Sequence, residues 1–271
     1  MKILIIGGGN MGQSFAKSFV QNYITDASHF AVLEKDTNKF EALKKIGINH
    51  IYEQPDVRLA QADLVVLAVK PQSFSDLARQ IKPYISNEQV FLSIMAGIDI
   101  ATIQRALSVD KVIRAMPNIA AQIGEGMSVF TSSDEVTRIE LVTVQNLLES
   151  TGKNLYVSNE DLIDAGTAVS GSGPAYVLYF MQAVMQAAVE LGFSKKEAEM
   201  LTIQTFKGIV EYFQTTQDSC SGLIDKISSK GGTTEAAIKY LIDNRIDKKI
   251  KTAVQKAYTR AKELGALSTN R

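Results

Sequence analysis

Residues 3–12 read Ile3-Leu4-Ile5-Ile6-Gly7-Gly8-Gly9-Asn10-Met11-Gly12, a short apolar run that passes directly into G-x-G-x-x-G. The run has the composition of a strand, and the three glycines of the pattern have separate physical tasks. Gly7 permits a tight turn, Gly9 lets a pyrophosphate approach the backbone, and Gly12 lets the next helix pack closely on the sheet. Phosphates would then sit on a helix N-terminus, with Asn10 and Met11 in the same turn. A bare glycine pattern also describes a turn without a ligand. Context favours the ligand: residues 13–23 continue with Phe15, Ala16, Phe19 and Val20 at helical spacing. A second apolar stretch, Phe30-Ala31-Val32-Leu33, follows at the separation of a βαβ unit.

Working outward, strand-like and helix-like segments alternate as far as Asn159, the pattern of a doubly wound parallel sheet. The expected strands are 3–6, 30–33, 48–51, 64–69, 90–94, 111–115, 127–130 and 154–157. Residues 64–69 are apolar throughout, as a strand buried on both faces should be. Beyond Asn159 the strand signals stop. Residues 160–169 look helical, Pro174 opens a long apolar helix and Gly192 closes it. Ser194 and Glu197 form a capping box that starts a helix running to about Phe213, and two more helices are expected over 235–244 and 248–264. The fold class is therefore α/β followed by an all-helical part: a Rossmann-like dinucleotide-binding domain at 1–159 and a helical domain at 160–271.

The 271-residue chain sets 29 Lys and Arg against 29 Asp and Glu, so nothing points to nucleic acid or an anionic membrane surface. The single cysteine, Cys220, excludes an internal disulfide, and no C-x-x-C or His/Cys cluster offers a zinc site. The two histidines, His29 and His50, fall at the edges of predicted strands and read as surface or structural. No targeting pattern precedes the first strand, and the expected compartment is the cytoplasm. Residues 175–191 are nearly all apolar, but Gln182, Gln186 and Glu190 fall on one helical face. That suits a buried bundle or subunit interface better than a bilayer. The helical part carries more apolar surface than it can cover alone, so a second subunit is expected against it.

Several constellations carry chemistry. Glu34 follows Gly12 at roughly the twenty-residue separation where an acid grips the adenosine ribose; a carboxylate there favours NADH and repels the extra phosphate of NADPH. Lys35 and Lys39 could soften that repulsion, and a merely solvated charge is the alternative. Three successive strands end in small, polar or proline-containing turns on one edge: Ala68-Val69-Lys70-Pro71, Ser93-Ile94-Met95-Ala96-Gly97 and Arg114-Ala115-Met116-Pro117-Asn118. Together these make a cofactor edge, with Ala68, Val69, Lys70, Pro71, Met95, Ala96, Gly97 and Asn118 as its expected lining. In the helical part, Ser170-Gly171-Ser172-Gly173-Pro174 places hydroxyls before one helix. Ser228-Ser229-Lys230-Gly231-Gly232-Thr233-Thr234 leads into another, where the amides of Gly232, Thr233 and Thr234 suit a substrate carboxylate or are simply capped by a threonine.

With those motifs in place the chain resembles the pyrroline-5-carboxylate reductases. The parts that carry the resemblance are GGGNMG at 7–12, AVKP at 68–71, SIMAG at 93–97, RAMPN at 114–118, SGSGPAY at 170–176 and LIDKISSKGGTTEAA at 223–237. The resemblance implies a Rossmann domain, a helical domain that interleaves with a second subunit, and homodimers that associate further. It implies hydride transfer from NADH or NADPH to the C=N carbon of pyrroline-5-carboxylate, with L-proline as product. It also implies that Ser229, Gly231, Gly232, Thr233 and Thr234 bind the substrate carboxylate, that the Thr234 hydroxyl meets the ring nitrogen, and that Glu160 lies near the substrate.

Three positions depart from the family pattern: Lys230 where proline is common, Lys226 where asparagine is usual, and Glu34 where a small hydroxyl residue often stands. Two other readings are compatible with the residues. One is reduction of another cyclic imine or of a hydroxy acid, with Lys207 or Lys239 as the lysine the latter needs. The other is a nicotinamide sensor without chemistry.

Overall fold

The computed structural model describes residues 1–21 and 29–269. Eight strands form one sheet: β1 (Ile3–Ile6), β2 (Phe30–Leu33), β3 (His50–Tyr52), β4 (Leu64–Leu67), β5 (Val90–Ser93), β6 (Val112–Met116), β7 (Gly126–Ser132) and β8 (Gly152–Tyr156). Their order is β3-β2-β1-β4-β5-β6-β7-β8, which places the reversal of winding between β1 and β4. In such sheets a ligand lies outside the carboxyl ends of the strands at that reversal.

One pairing departs from the expected parallel sheet: β7 runs antiparallel to β6. Only residues 117–125 join them, short of the dozen or more that a parallel crossover requires. The expected strand at 48–51 begins later, at His50, because the Ile48 amide turns back to the Leu43 carbonyl. The strand expected over 64–69 ends at Leu67, and Pro71 opens a tight 3-10 turn beyond it.

Helices α1 (Asn10–Gln21), α2 (Phe40–Lys45), α3 (Phe74–Ile81), α4 (Ile100–Leu107) and α5 (Arg138–Glu149) accompany the sheet. Residues 22–23 of the expected first helix lie outside the described residues. Alternate side chains of β1 enter different cores: Ile3 and Ile5 join Phe15, Phe19 and Phe30, while Leu4 and Ile6 join Phe74, Ile81 and Ile103. Burial on both faces is why β1 and β4 are apolar throughout rather than alternating. Phe19 on α1 meets Phe30 on β2 edge to face at 6.3 Å, fastening α1 to the sheet behind the glycine loop.

The remaining helices are α6 (Asp161–Gly166), followed by a π turn over Thr167–Gly171, then α7 (Gly173–Glu190), α8 (Lys195–Thr215), α9 (Cys220–Ile227), α10 (Thr233–Asp243) and α11 (Ile246–Thr269). The capping box of Ser194 and Glu197 is present at the start of α8. Helix α9 has no counterpart among the expected elements. It is short, contains Gly222, and is started by the Ser219 hydroxyl accepting from the Gly222 amide.

Two compact units result, residues 1–172 with 256–271, and residues 173–255. The segment 160–172 packs with the sheet for electrostatic and steric reasons. Arg114 on β6 pairs with Glu160 and Asp164, and a side chain on Gly166 would collide with Val129 on β7. In the other unit α7 packs beside α8 but has no buried residue of its own, leaving Val177, Leu178, Tyr179 and Val184 exposed. Among the described residues no helix is long and apolar enough to cross a membrane.

Candidate active site

The glycine loop between β1 and α1 divides its steric tasks among its members. A Cβ on Gly7, whose φ is +108°, would lie 2.7 Å from the Ala68 carbonyl oxygen, and one on Gly12 would overlap the Gly7 carbonyl. These two glycines let β1, β4 and α1 close on one another. Gly9 differs: a Cβ there would meet nothing within 4 Å. The gap beside Gly9 lies at the head of α1, where Asn10 and Met11 begin the helix, and leaves room for a pyrophosphate. These residues therefore fit a dinucleotide.

Glu34 stands just past β2 and is not a solvated charge, being 6% exposed. One carboxylate oxygen accepts from the Gly8 amide at 2.7 Å and from Lys39 Nζ at 2.9 Å; the other accepts from the Asp36 amide at 2.8 Å. Lys35 is exposed.

The other expected cofactor residues follow the carboxyl ends of β4, β5 and β6. The Ala68 amide donates to the Ile6 carbonyl at 2.9 Å, tying the β4 exit to the β1 exit. Val69 is half-buried, Lys70 is exposed and caps the 3-10 turn that Pro71 begins. Met95 and Gly97 are buried with Ala96 between them, and the Met95 amide donates to the Ser93 hydroxyl. Asn118 is held at both ends of its side chain. Its Nδ2 donates to the Ser170 carbonyl at 3.1 Å, and its Oδ1 accepts from the Ala120 and Met127 amides. Ser170 lies in the π turn and spends its hydroxyl on the Gly166 carbonyl, so it does not present it before α7 as expected.

The loop at 228–234 is described within the second unit. Gly231 adopts φ +72° and Gly232 is the N-cap of α10, offering no side chain to the amides that follow it. Neither Thr233 nor Thr234 supplies the cap. Glu235 reaches back instead, accepting from the Gly231 amide at 2.7 Å. Gly232 closes the loop on Ser229, its amide donating to the Ser229 carbonyl at 2.9 Å, with too little room for a Cβ. The Gly231 and Gly232 amides are thus taken by Glu235 and Ser229, and the Thr233 and Thr234 amides open the helix start, with Lys230 exposed and Thr234 half-buried beside them. Lys226 is engaged by Asp218 at 2.7 Å, whose carboxylate holds the lysine above its ordinary range.

Glu160, the N-cap of α6, is 31% exposed and accepts from the Ile100 amide at 2.9 Å and from Arg114 at 3.0 Å. Arg114 is 4% exposed and also reaches Asp164 at 2.8 Å. Sequence reasoning missed Glu235, which stands three positions after the Gly232 N-cap, the spacing of a capping signature. It also missed Gly265, a glycine inside a helical pattern that marks a close approach.

A glycine cradle at the head of α1, turns after β4 to β6 that suit a cofactor edge and, separately, a helix start that suits an anion nest are features of a nicotinamide-nucleotide-dependent oxidoreductase. Residues 160–264 match the family described as pyrroline-5-carboxylate reductase dimerisation, and residues 2–97 match NADP oxidoreductase coenzyme F420-dependent. The chain is 33% identical over 267 residues to the pyrroline-5-carboxylate reductase of Aquifex aeolicus, covering 97% of each chain. It is 33% identical over 264 residues to that of Pseudomonas aeruginosa, covering 97% of this chain and 96% of the relative. The solved pyrroline-5-carboxylate reductase of Coxiella burnetii superposes with a TM-score of 0.87 at 32% identity, over 97% of this chain and 98% of that one. The Plasmodium falciparum pyrroline carboxylate reductase, solved with NADP bound, superposes with a TM-score of 0.87 at 28% identity, over 98% of both chains. The chain belongs to the pyrroline-5-carboxylate reductase family.

Proposed function

We propose that this chain reduces 1-pyrroline-5-carboxylate to L-proline with NADH or NADPH. The observation that carries the reading is the 228–234 loop. A left-handed Gly231 followed by a side-chain-less N-cap at Gly232 opens the α10 amides to a carboxylate, which a dinucleotide-binding protein without a carboxylate substrate does not need.

Gly7, Gly9, Asn10, Met11 and Gly12 hold the pyrophosphate in this reading, Glu34 faces the adenosine end, and residues 68–71, 95–97 and Asn118 line the nicotinamide end. A bound reduced nicotinamide supplies the hydride that the imine carbon gains. Ser229, Gly231, Gly232, Thr233 and Thr234 receive the substrate carboxylate, which fixes the ring's orientation. The Thr234 hydroxyl hydrogen-bonds the ring nitrogen and relays the proton that the nitrogen takes up, so that C=N becomes CH–NH. A protonated imine accepts hydride more readily than a neutral one, and the substrate's own carboxylate, held in the nest, balances that charge. Glu160, which the family resemblance assigns to substrate binding, is held by Arg114 at 3.0 Å. In functional terms the chain divides at residue 160, where the dimerisation-family match begins. We place the reaction in the cytoplasm, in homodimers and higher assemblies, with no nucleic-acid or membrane partner.

The test is spectrophotometric: oxidation of NADH and of NADPH by the purified protein with pyrroline-5-carboxylate, against an enzyme-free control, with proline identified as product. Oxidation without proline, or cofactor binding without oxidation, would move the activity to another imine or to a sensing role.

A further inference from the structure

Glu34 does more here than mark the end of β2. Its carboxylate is withdrawn from solvent and collects three donors: the Gly8 amide, the Asp36 amide and the Lys39 ammonium, all at 2.7 to 2.9 Å. It lies against the glycine loop so closely that a Cβ on Gly8 would fall 3.1 Å from the Glu34 oxygen. Two backbone amides and a lysine converging on one point form an anion site, and in this chain the anion is part of the protein. Asp36 does not take over that role. Its carboxylate is 3.9 Å from Lys39 and accepts from the Asn38 amide and side chain.

We propose that Glu34 is an internal stand-in for the adenosine 2′-phosphate of NADPH, and that by filling the site made by Lys39 and the Gly8 and Asp36 amides it makes the chain select NADH. The inference rests on the cofactor reading above and goes beyond it. The same carboxylate that excludes the phosphate by charge also satisfies the donors that would otherwise bind it. Lys39 is thus silent in the wild-type chain and becomes a phosphate ligand only when Glu34 is removed. An acidic residue that merely repelled the phosphate would leave no such latent site behind.

The experiment is calorimetric titration of NADH and NADPH into wild type, Glu34→Ser, Glu34→Gln and Glu34→Ser with Lys39→Ala, each without imine substrate. Wild type should bind NADH about tenfold or more tighter than NADPH, since a single charge-assisted hydrogen bond is worth about a factor of ten. Glu34→Ser should reverse the order, and adding Lys39→Ala should remove the NADPH gain while leaving NADH binding unchanged. Glu34→Gln keeps an acceptor for the Gly8 amide without the charge. It should shift the ratio toward NADPH with a melting temperature near wild type, which guards against a folding defect in the serine variant. An unaltered ratio in both Glu34 variants, or an NADPH gain that survives Lys39→Ala, would overturn the proposal while leaving the cofactor reading intact. Failure of the wild-type chain to bind either cofactor would overturn both.

Discussion

Gly97 and Gly265 meet backbone to backbone. A Cβ on Gly97 would lie 2.9 Å from the Gly265 nitrogen, and one on Gly265 would lie 3.1 Å from the Gly97 carbonyl oxygen. The loop after β5, to which we assign the nicotinamide end of the cofactor, is therefore braced by the far end of α11. Gly97→Ala adds this collision to a φ of +73°, which alone costs about 1–2 kcal/mol for a side-chain-bearing residue. The expected outcome is a lower urea midpoint together with a severalfold higher KM for NADH. Gly265→Ala, which needs only a small shift of its neighbour, should move both quantities less and in the same direction. Wild-type values for Gly97→Ala would show that this close approach does not position the loop.

Arg114 holds two carboxylates from a buried place on β6, so Arg114→Met should destabilise the sheet unit. Breaking a fully buried ion pair costs roughly 3–5 kcal/mol; with Glu160 31% exposed we expect about 2 kcal/mol, because water screens the carboxylate that is left. Denaturant titration measures it directly. A loss under about 0.5 kcal/mol, the range of ordinary surface substitutions, would mean that the cluster contributes no net stability.

Thr234→Ala should lower kcat by about a hundredfold, the lower end of the range for a group that assists proton transfer, with the KM for cofactor unchanged. Thr234→Ser should recover most of the rate, since the hydroxyl is retained. Equal rates for the alanine and serine variants would remove the hydroxyl from the mechanism.

Glu235 occupies the Gly231 amide that the substrate carboxylate would use, and the two must compete. Glu235→Ala should lower the KM for the imine a few-fold while costing about 0.5–1 kcal/mol of stability through the lost cap. A raised KM would instead make the Glu235 carboxylate a support for the loop in its binding geometry.

Strands β1 and β4 are legible in the sequence because burial on both faces makes each an apolar run, while the partly exposed β3 and β8 are legible only from the turns that punctuate them. The reversal at β7 is not, since strand direction depends on the length of the connection at 117–125 rather than on the strand's own residues. Helix α9 escapes because its eight residues are too few to show a period and contain Gly222. The glycine loop is readable because Gly7 and Gly12 answer local steric demands and Gly9 leaves space beside the helix start. The engagement of Glu34 is readable only in part: Asp36 and Lys39 lie close to it in sequence, but the Gly8 amide comes from the glycine loop and meets it only in space.

Helix α7 buries none of its own residues within the protomer and belongs to a segment that matches a dimerisation family. Folding of this part and pairing of two chains are then a single equilibrium, in which the folded species is second order in chain. Its melting temperature should climb with the logarithm of protein concentration, dilution alone should inactivate it, and a copy damaged on α7 would carry an intact partner out of service with it.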